Sequence, residues 1–351
     1  MGESEVEASR RRGVETALEP PSVLRPPSSV PPPAVLRVEG LRVYYQTAAG
    51  PVKAVDGVSF ALQPGERFGL VGESGSGKST IALSLMRLIK PPGEIVEGMV
   101  DLDGVDLLAL DEEEMRRTRL ARISLVAQGA MNSLNPVKRI REQVALGLRD
   151  HGAAMNTPSF DRFLAELLEK VGLRREVAGM FPHELSGGMK QRVCIAIAIS
   201  LQPLVIVADE PTSALDVVVQ WQVIDTLRQV QTDLGAAVIQ IGHDMGLMAH
   251  SVDRIGVMYA GKLVEVAPVR DLFREPLHPY TQLLIASLPA LEEKQRLQAI
   301  AGSPPSLLNP PAGCPFHPRC PYVMDRCRVV MPPLRELRPN HLAACHLYET
   351  P

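Results

Sequence analysis

No run of about 18 consecutive apolar residues occurs anywhere in the 351-residue chain, so no segment reads as a membrane-spanning helix. The first residues are rich in Glu and Arg and then in proline, without the apolar core of a secretory signal. An excess of charge of one sign is also missing. Lys and Arg number 37 against 40 Asp and Glu, for a net charge of −3, which gives no electrostatic basis for non-specific nucleic-acid binding. Cysteines number 5, and Cys314, Cys320, Cys327 and Cys345 all fall near the C-terminus. Without an export signal, that clustering suggests reduced thiols, with or without a metal, rather than a disulfide framework. What is present is an ordinary globular balance, 45% hydrophobic and 22% charged, enough for one large domain with an appendage or for two domains. The expectation is a soluble, cytosolic protein that binds no nucleic acid.

Residues 1–34 end in Pro26-Pro27-Ser28-Ser29-Val30-Pro31-Pro32-Pro33, which offers too little apolar surface to offset ordering and reads as a disordered or extended tail. From Val35, short apolar runs alternate with helical patterns. Phe68–Val71, Ile123–Ala127, Leu204–Ala208 and Ala237–Ile241 have the continuous hydrophobicity of strands covered on both faces, and Phe160–Val171 repeats apolar residues at helical spacing. This alternation predicts an α/β domain over 35–275 with a mainly parallel sheet, whose ligands gather at the carboxyl ends of the strands. Over 276–351, prolines at Pro304-Pro305, Pro310-Pro311 and Pro332-Pro333 break up the segment that carries the cysteines, and a small irregular domain is expected. No internal repeat is present.

Gly72, Glu73, Ser74, Gly75, Ser76, Gly77, Lys78 and Ser79 match the phosphate-cradling pattern G-x-x-x-x-G-K-S/T, with Thr80 opening an apolar helix expected over 80–88. The glycines let consecutive backbone N–H groups turn inward, and the helix N-terminus adds positive potential. Lys78 would meet the β- and γ-phosphates, and Ser79 would offer its hydroxyl to Mg²⁺. The run Leu204–Ala208 leads into Asp209, placed to hold Mg²⁺ through water, and Glu210, placed to face an attacking water.

Leu185-Ser186-Gly187-Gly188-Met189-Lys190-Gln191-Arg192 resembles the signature motif of ABC-type ATPases. Ser186 and two glycines precede the apolar segment Val193–Leu201, which puts a hydroxyl and free N–H groups at a helix tip, an anion site. The resemblance implies that Leu185, Ser186, Gly187, Gly188 and Gln191 cap the ATP held by another subunit's phosphate loop, head to tail. It further implies a P-loop nucleotide-binding fold with an antiparallel β part and a helical subdomain. By the same resemblance Gln128 is the Q-loop glutamine, a third Mg²⁺ contact beside Ser79 and Asp209. Ser213, Ala214, Leu215 and Asp216 are the D-loop, and His243 is the switch histidine, grouped with Glu210 and Gln128 as catalytic. Tyr45 is the choice for the aromatic on adenine, with Tyr44 the alternative.

Asn132-Ser133-Leu134-Asn135-Pro136, the segment Pro276-Leu277-His278-Pro279-Tyr280-Thr281 and the cysteine tail resemble the oligopeptide/dipeptide (and nickel) importer subfamily, from Val35 to Tyr348. Two departures stand out: Ala127-Gln128-Gly129 where a Phe-Gln-Asp type sequence is usual, and Gly242 before His243 where Thr or Ser is usual. The first bears on the coupling surface, and neither removes a catalytic group. The cysteines lack the tight C-x2-C pairs of zinc sites and the familiar bacterial iron–sulfur spacing, so spacing chooses neither metal. The resemblance implies that Cys314, Cys320, Cys327 and Cys345 can hold a 4Fe–4S cluster, ranked above zinc and above four unligated buried thiols. Cys194 reads as core, and His317, His341 and His346 as second-choice ligands.

The resulting expectation is an ATPase using ATP and Mg²⁺, peripheral on the cytoplasmic face of the cell membrane. The resemblance gives it two transmembrane permease subunits, a sister ATPase or a second copy of itself, and indirectly an extracytoplasmic solute-binding protein. Import of nickel or another small solute, a soluble ABC-type ATPase acting in DNA repair or translation, and a catalytically silent regulatory ATPase are the competing readings. Glu210 and His243 argue against the last.

Overall fold

Alternation of apolar and polar residues at the start of the folded chain builds an antiparallel sheet, and the continuous apolar runs build a parallel one. The structure, a computed structural model, describes residues 33–129, 132–153, 156–288 and 300–349. Most of the expected proline-rich tail, residues 1–32, lies outside the described residues.

The first half runs β1 (Leu36–Thr47), β2 (Gly50–Leu62), β3 (Arg67–Val71), α1 (Lys78–Leu85), β4 (Gly93–Leu102), β5 (Val105–Asp106), α2 (Glu112–Thr118), β6 (Ile123–Val126), α3 (Ile140–Asp150) and α4 (Thr157–Lys170). There follow α5 (Gly187–Ile199), β7 (Val205–Asp209), α6 (Val217–Leu234), β8 (Ala237–Ile241), α7 (Met245–Ser251), β9 (Arg254–Tyr259) and β10 (Lys262–Pro268). The end of the chain holds α8 (Val269–Arg274), α9 (Pro279–Ala286), α10 (Asp325–Val329), β11 (Arg335–Arg338) and β12 (His341–Ala343).

β1 buries Leu36, Val38, Leu41 and Val43 and is the centre of an antiparallel sheet ordered β2-β1-β4-β5. The second sheet is ordered β11-β12-β10-β9-β3-β8-β7-β6. Its segment β9-β3-β8-β7-β6 is parallel, and every residue of β7 and β8 is buried, as strands sandwiched between layers must be. Helices α3, α4 and α5 form a helical layer whose core joins Ile140, Val144, Leu148, Leu164, Leu168 and Val193 to β6–β8.

Two differences from the sequence reading matter. The helix expected over 80–88 ends at Leu85, because Arg87 turns to a left-handed φ of +48° before the prolines Pro91 and Pro92. The end of the chain is also more regular than its prolines suggest. β12 pairs antiparallel with β10 and β11 pairs with β12, so the C-terminal segment prolongs the main sheet. Its Cys314, Cys327 and Phe316 share one core with Tyr259 of β9 and Tyr280 of α9. Strands this short carry too few residues for a period to register.

Candidate functional site

The phosphate loop follows directly on β3 and ends at the tip of α1. Its glycines are dictated by backbone crowding. Gly72 adopts φ +145° and Gly77 φ +104°, and a Cβ at either would stand 2.2 Å from the Met258 carbonyl oxygen or 2.1 Å from that of Ala54. Lys78 is buried, and its Nζ donates to the carbonyls of Gly72 (2.8 Å) and Glu73 (2.9 Å) and to Ser76 Oγ (3.3 Å). Burial pushes the Lys78 ammonium below the ordinary lysine range, against the opposing pull of Glu210, Asp209 and Glu73.

β7 delivers Asp209 and Glu210 side by side. Ser79 Oγ donates to Asp209 Oδ1 at 3.1 Å. Burial holds the Asp209 carboxyl above its usual range; the Ser79 hydroxyl lowers it and the neighbouring Glu210 charge raises it. Glu210 sits at a left-handed φ of +46°, a strained position for a residue with a Cβ. Gln128 Nε2, just beyond β6, donates to Glu210 Oε2 at 2.7 Å. His243, just after β8, sets Nδ1 at 3.8 Å from Glu210 Oε1 with its side chain 74% exposed. Gly242 leaves room for Met248, whose methyl carbon would lie 2.7 Å from a Cβ there.

Lys78, Ser79, Gln128 and Glu210 meet in a cleft of about 340 Å³ also lined by Tyr45, Val52, Ala54, Ser74, Gly75, Gly77 and Thr80, whereas Asp209 and His243 are not in its wall. Glu210 also borders a hollow of about 60 Å³ shared with Ser213 and His243. Of the two tyrosines, Tyr45 faces the cleft, whereas Tyr44 donates its hydroxyl to Asp56 at 2.8 Å. Burial and that bond push the Tyr44 phenol up to about 12. Val52 and Ala54 come from β2 and carry no motif, so the sequence offered no signal for them.

The segment Leu185–Gln191 lies outside this cleft. Ser186 is the N-cap of α5, its hydroxyl accepting the Met189 N–H at 3.3 Å, and Gly187 and Gly188 form the first turn. A Cβ on Gly188 would stand 2.5 Å from Val219 Cγ1, so the glycine lets α5 approach α6. Gln191 is buried, and its Nε2 has no partner among the described residues. In the following segment Ser213 N–H donates to Glu210 O, Ala214 takes φ +63°, Leu215 accepts from Gln220 at 3.1 Å, and Asp216 caps α6 through Val219 N–H at 3.0 Å.

Cys314, Cys320, Cys327 and Cys345 converge on one small cavity of about 10 Å³, with Phe316, His278, His317 and His346 also in its wall. No disulfide joins any of the five cysteines. Burial pushes Cys314 up to about 12 and Cys345 up to about 11, against backbone N–H bonds from Phe316 and Leu347. Cys320, the least buried, is also raised by burial and accepts from Tyr322 N–H. Among the described residues no set of three or more His, Cys, Asp or Glu is drawn together tightly enough for one metal ion. His341 is absent from the cavity; its Nε2 lies 2.6 Å from Glu265 Oε1. His278, which motif reasoning left without a role, is fully buried, and burial lowers its imidazole to about 4.

Two contacts onto the phosphate loop come from the C-terminal segment, and no spacing rule indicated them. Arg319 forks onto Glu73 at 2.9 and 3.0 Å, and Tyr280 Oη accepts the Glu73 N–H at 2.9 Å.

Comparison with known proteins identifies the family. Residues 55–213 match the family described as ABC transporter, and residues 264–327 the oligopeptide/dipeptide transporter C-terminal region. The chain is similar to the oligopeptide transport ATP-binding protein AppF of Bacillus subtilis, 42% identical over 308 residues, covering 87% of this chain and 92% of that protein. It is also 42% identical over 317 residues to the dipeptide transport ATP-binding protein DppD of Caldanaerobacter subterraneus, covering 90% and 97%. Among solved structures it resembles the dimeric post-hydrolysis state of the ATP-binding cassette MJ0796 bound to ADP and Pi, with TM-score 0.60 and 28% identity over 67% of this chain and 99% of that one.

Proposed function

The chain belongs to the ABC transporter ATP-binding proteins, and from that membership we propose that it hydrolyses ATP to energise import of di- or oligopeptides. The observation that carries the reading is the meeting of Lys78, Ser79, Gln128 and Glu210 in one cleft beneath an inward-turned loop, with Tyr45 at its side. In this reading Tyr45 stacks on adenine, the loop Gly72–Thr80 cradles the phosphates, and Lys78 leaves the loop carbonyls to meet the β- and γ-oxygens. Glu210 orients the attacking water and takes its proton, Gln128 holds Glu210, and His243 closes over the γ-phosphate.

The hydroxyl–carboxylate pair Ser79–Asp209 suits a hard, oxygen-seeking cation, whose charge would offset the burial that raises the Asp209 carboxyl. Ser79 and Asp209, with Gln128, would hold Mg²⁺, which supplies charge neutralisation at the β,γ-phosphates. The N-cap hydroxyl of Ser186 and the tip of α5 point to a second half-site used in trans. Its place outside the cleft, and the dimeric cassette MJ0796, support a head-to-tail pair in which Ser213–Asp216 lines the joint. Two permease subunits, a sister ATPase or a second copy, and a solute-binding protein complete the proposed importer. Among the described residues no helix is long and apolar enough to cross a membrane, consistent with peripheral attachment through those partners on the cytoplasmic face.

For the four tail cysteines the proposed occupant is a 4Fe–4S cluster. The donor set is all thiol, and backbone N–H groups already point at three of the sulfurs. One zinc ion would draw four thiolates to about 2.3 Å from a common centre. No such tight set is present among the described residues.

The test is uptake. Cells lacking this chain should lose import of labelled di- and oligopeptides, the wild-type chain should restore it, and Glu210→Gln should not. Unimpaired uptake in the deletion strain refutes the reading.

A further inference from the structure

Glu73 places a carboxylate in the phosphate-binding loop, where its charge has the same sign as the ligand. Its charge is met by a residue far along the chain. Arg319 Nη1 and Nη2 lie 2.9 and 3.0 Å from the two carboxylate oxygens, a bidentate fork. The Arg319 side chain is only 5% exposed. Its Nε donates to the Ala301 carbonyl at 2.9 Å, Nη1 also reaches Tyr259 Oη at 3.2 Å, and the guanidinium lies over the Tyr259 and Phe316 rings. Tyr280 Oη takes the Glu73 N–H at 2.9 Å, while the Glu73 carbonyl accepts from Lys78 Nζ at 2.9 Å. One residue of the loop is therefore gripped at its side chain and N–H by the C-terminal segment, and at its carbonyl by the phosphate-binding lysine. Arg319 is followed directly by Cys320, and both Cys320 and Phe316 line the cysteine cavity.

We infer that Arg319 is a positioning residue of the nucleotide site: it neutralises and fixes Glu73, so that ATP affinity depends on this contact from the C-terminal segment. Without Arg319 a half-buried carboxylate on the phosphate loop stands uncompensated beside the nucleotide site, and the first turn of the loop is free to shift. The inference rests on the nucleotide reading of the cleft and goes beyond it by tying the loop to the tail.

The experiment measures Mg–ATP binding by calorimetry on the purified full chain. Arg319→Met should weaken binding about tenfold, and Arg319→Lys, which keeps the charge without the fork, by about threefold. Glu73→Gln combined with Arg319→Met should return affinity to within about threefold of wild type, since the offending charge is gone. A purely structural role for Arg319 would not be rescued by removing Glu73. Wild-type affinity in Arg319→Met, or no rescue in a double variant that still melts cooperatively, overturns the inference. Should Arg319→Met fail to fold, Arg319→Lys with and without Glu73→Gln decides by the same two criteria. Lys78→Ala separates the two levels. Lost binding there with unchanged Arg319→Met removes only this inference, whereas wild-type binding in Lys78→Ala removes the nucleotide reading as well.

Discussion

Gln128 Nε2 donates to Glu210 Oε2 at 2.7 Å, so the glutamine after β6 and the carboxylate after β7 act as one unit. Held this way, Glu210 presents its other oxygen toward His243 and the cleft. Glu210→Gln should keep ATP binding within about threefold, because the amide replaces a like charge beside the phosphates. Turnover should fall by at least about 100-fold with the loss of the base. Steady-state phosphate release checks this, and an unchanged rate would refute the assignment.

The depressed Lys78 ammonium carries a pH signature. Burial is the main cause, so in the absence of nucleotide the lysine loses its proton below the ordinary lysine range. Phosphate binding needs the charged form, and a neighbouring polyanion favours it, so binding takes up protons as pH rises through the free-state value. ATP affinity should therefore decline before pH reaches the ordinary lysine range of about 10.4, and Lys78→Arg should hold its remaining affinity to higher pH. Calorimetry in buffers of different ionisation enthalpy measures the proton uptake directly.

The parts of the site that sit where one element hands over to the next were legible in the sequence. Gly72–Ser79 between strand and helix, Asp209 and Glu210 at a strand end, and Ser186 before an apolar helix all follow from local rules on turns, caps and buried strands. The structure places each at such a junction. The parts that hold the C-terminal segment were not legible. Arg319 meets Glu73 across 246 positions and His341 meets Glu265 across 76, and nothing local ties an exposed-looking charge to a distant partner. The tail strands escaped for the same reason. Arg335–Arg338 shows no apolar period, because its order comes from pairing with β12 rather than from its own pattern.

Glu265, on β10, is fully buried and accepts the N–H groups of Leu277 (2.7 Å) and His278 (2.9 Å) together with His341 Nε2 (2.6 Å). This single carboxylate pins both the start of α9 and β12 to the main sheet. His341→Ala leaves it short of a partner in the interior and should destabilise the fold by about 3 kcal/mol. Thermal melting reads the loss, and limited proteolysis should cut first within the C-terminal segment. A melting point within one degree or so of wild type would mean that the clamp is dispensable.

The cysteine compartment makes a compositional prediction. Protein purified without oxygen should be brown and carry iron with sulfide, and replacing Cys314, Cys320, Cys327 and Cys345 by serine should remove both. Colourless protein with stoichiometric zinc would favour the alternative metal. In metal-free protein, iodoacetamide should label Cys320 first, since Cys194, Cys314, Cys327 and Cys345 are all buried. Burial also pushes the Cys194 thiol up to about 12, which makes it inert at neutral pH. Peptide mass mapping orders the labelling.

Two glycines of the phosphate loop look equivalent in the motif and are not equivalent in space. Gly75 adopts φ +76° with nothing within 4 Å of a Cβ, whereas Gly77 at φ +104° would put that carbon 2.1 Å from the Ala54 carbonyl oxygen. Alanine at either position pays for a left-handed backbone, about 1–2 kcal/mol. At Gly75 that strain is the whole cost, so Gly75→Ala should fold and keep ATP binding with a modest loss of affinity. At Gly77 the added carbon cannot be housed without moving β2 or the tip of α1, and either shift carries Lys78 and Ser79 away from the phosphates. Gly77→Ala should lose ATP binding while the rest of the sheet still melts cooperatively. Equal affinities for the two variants would show that the contact with Ala54 does not set the loop.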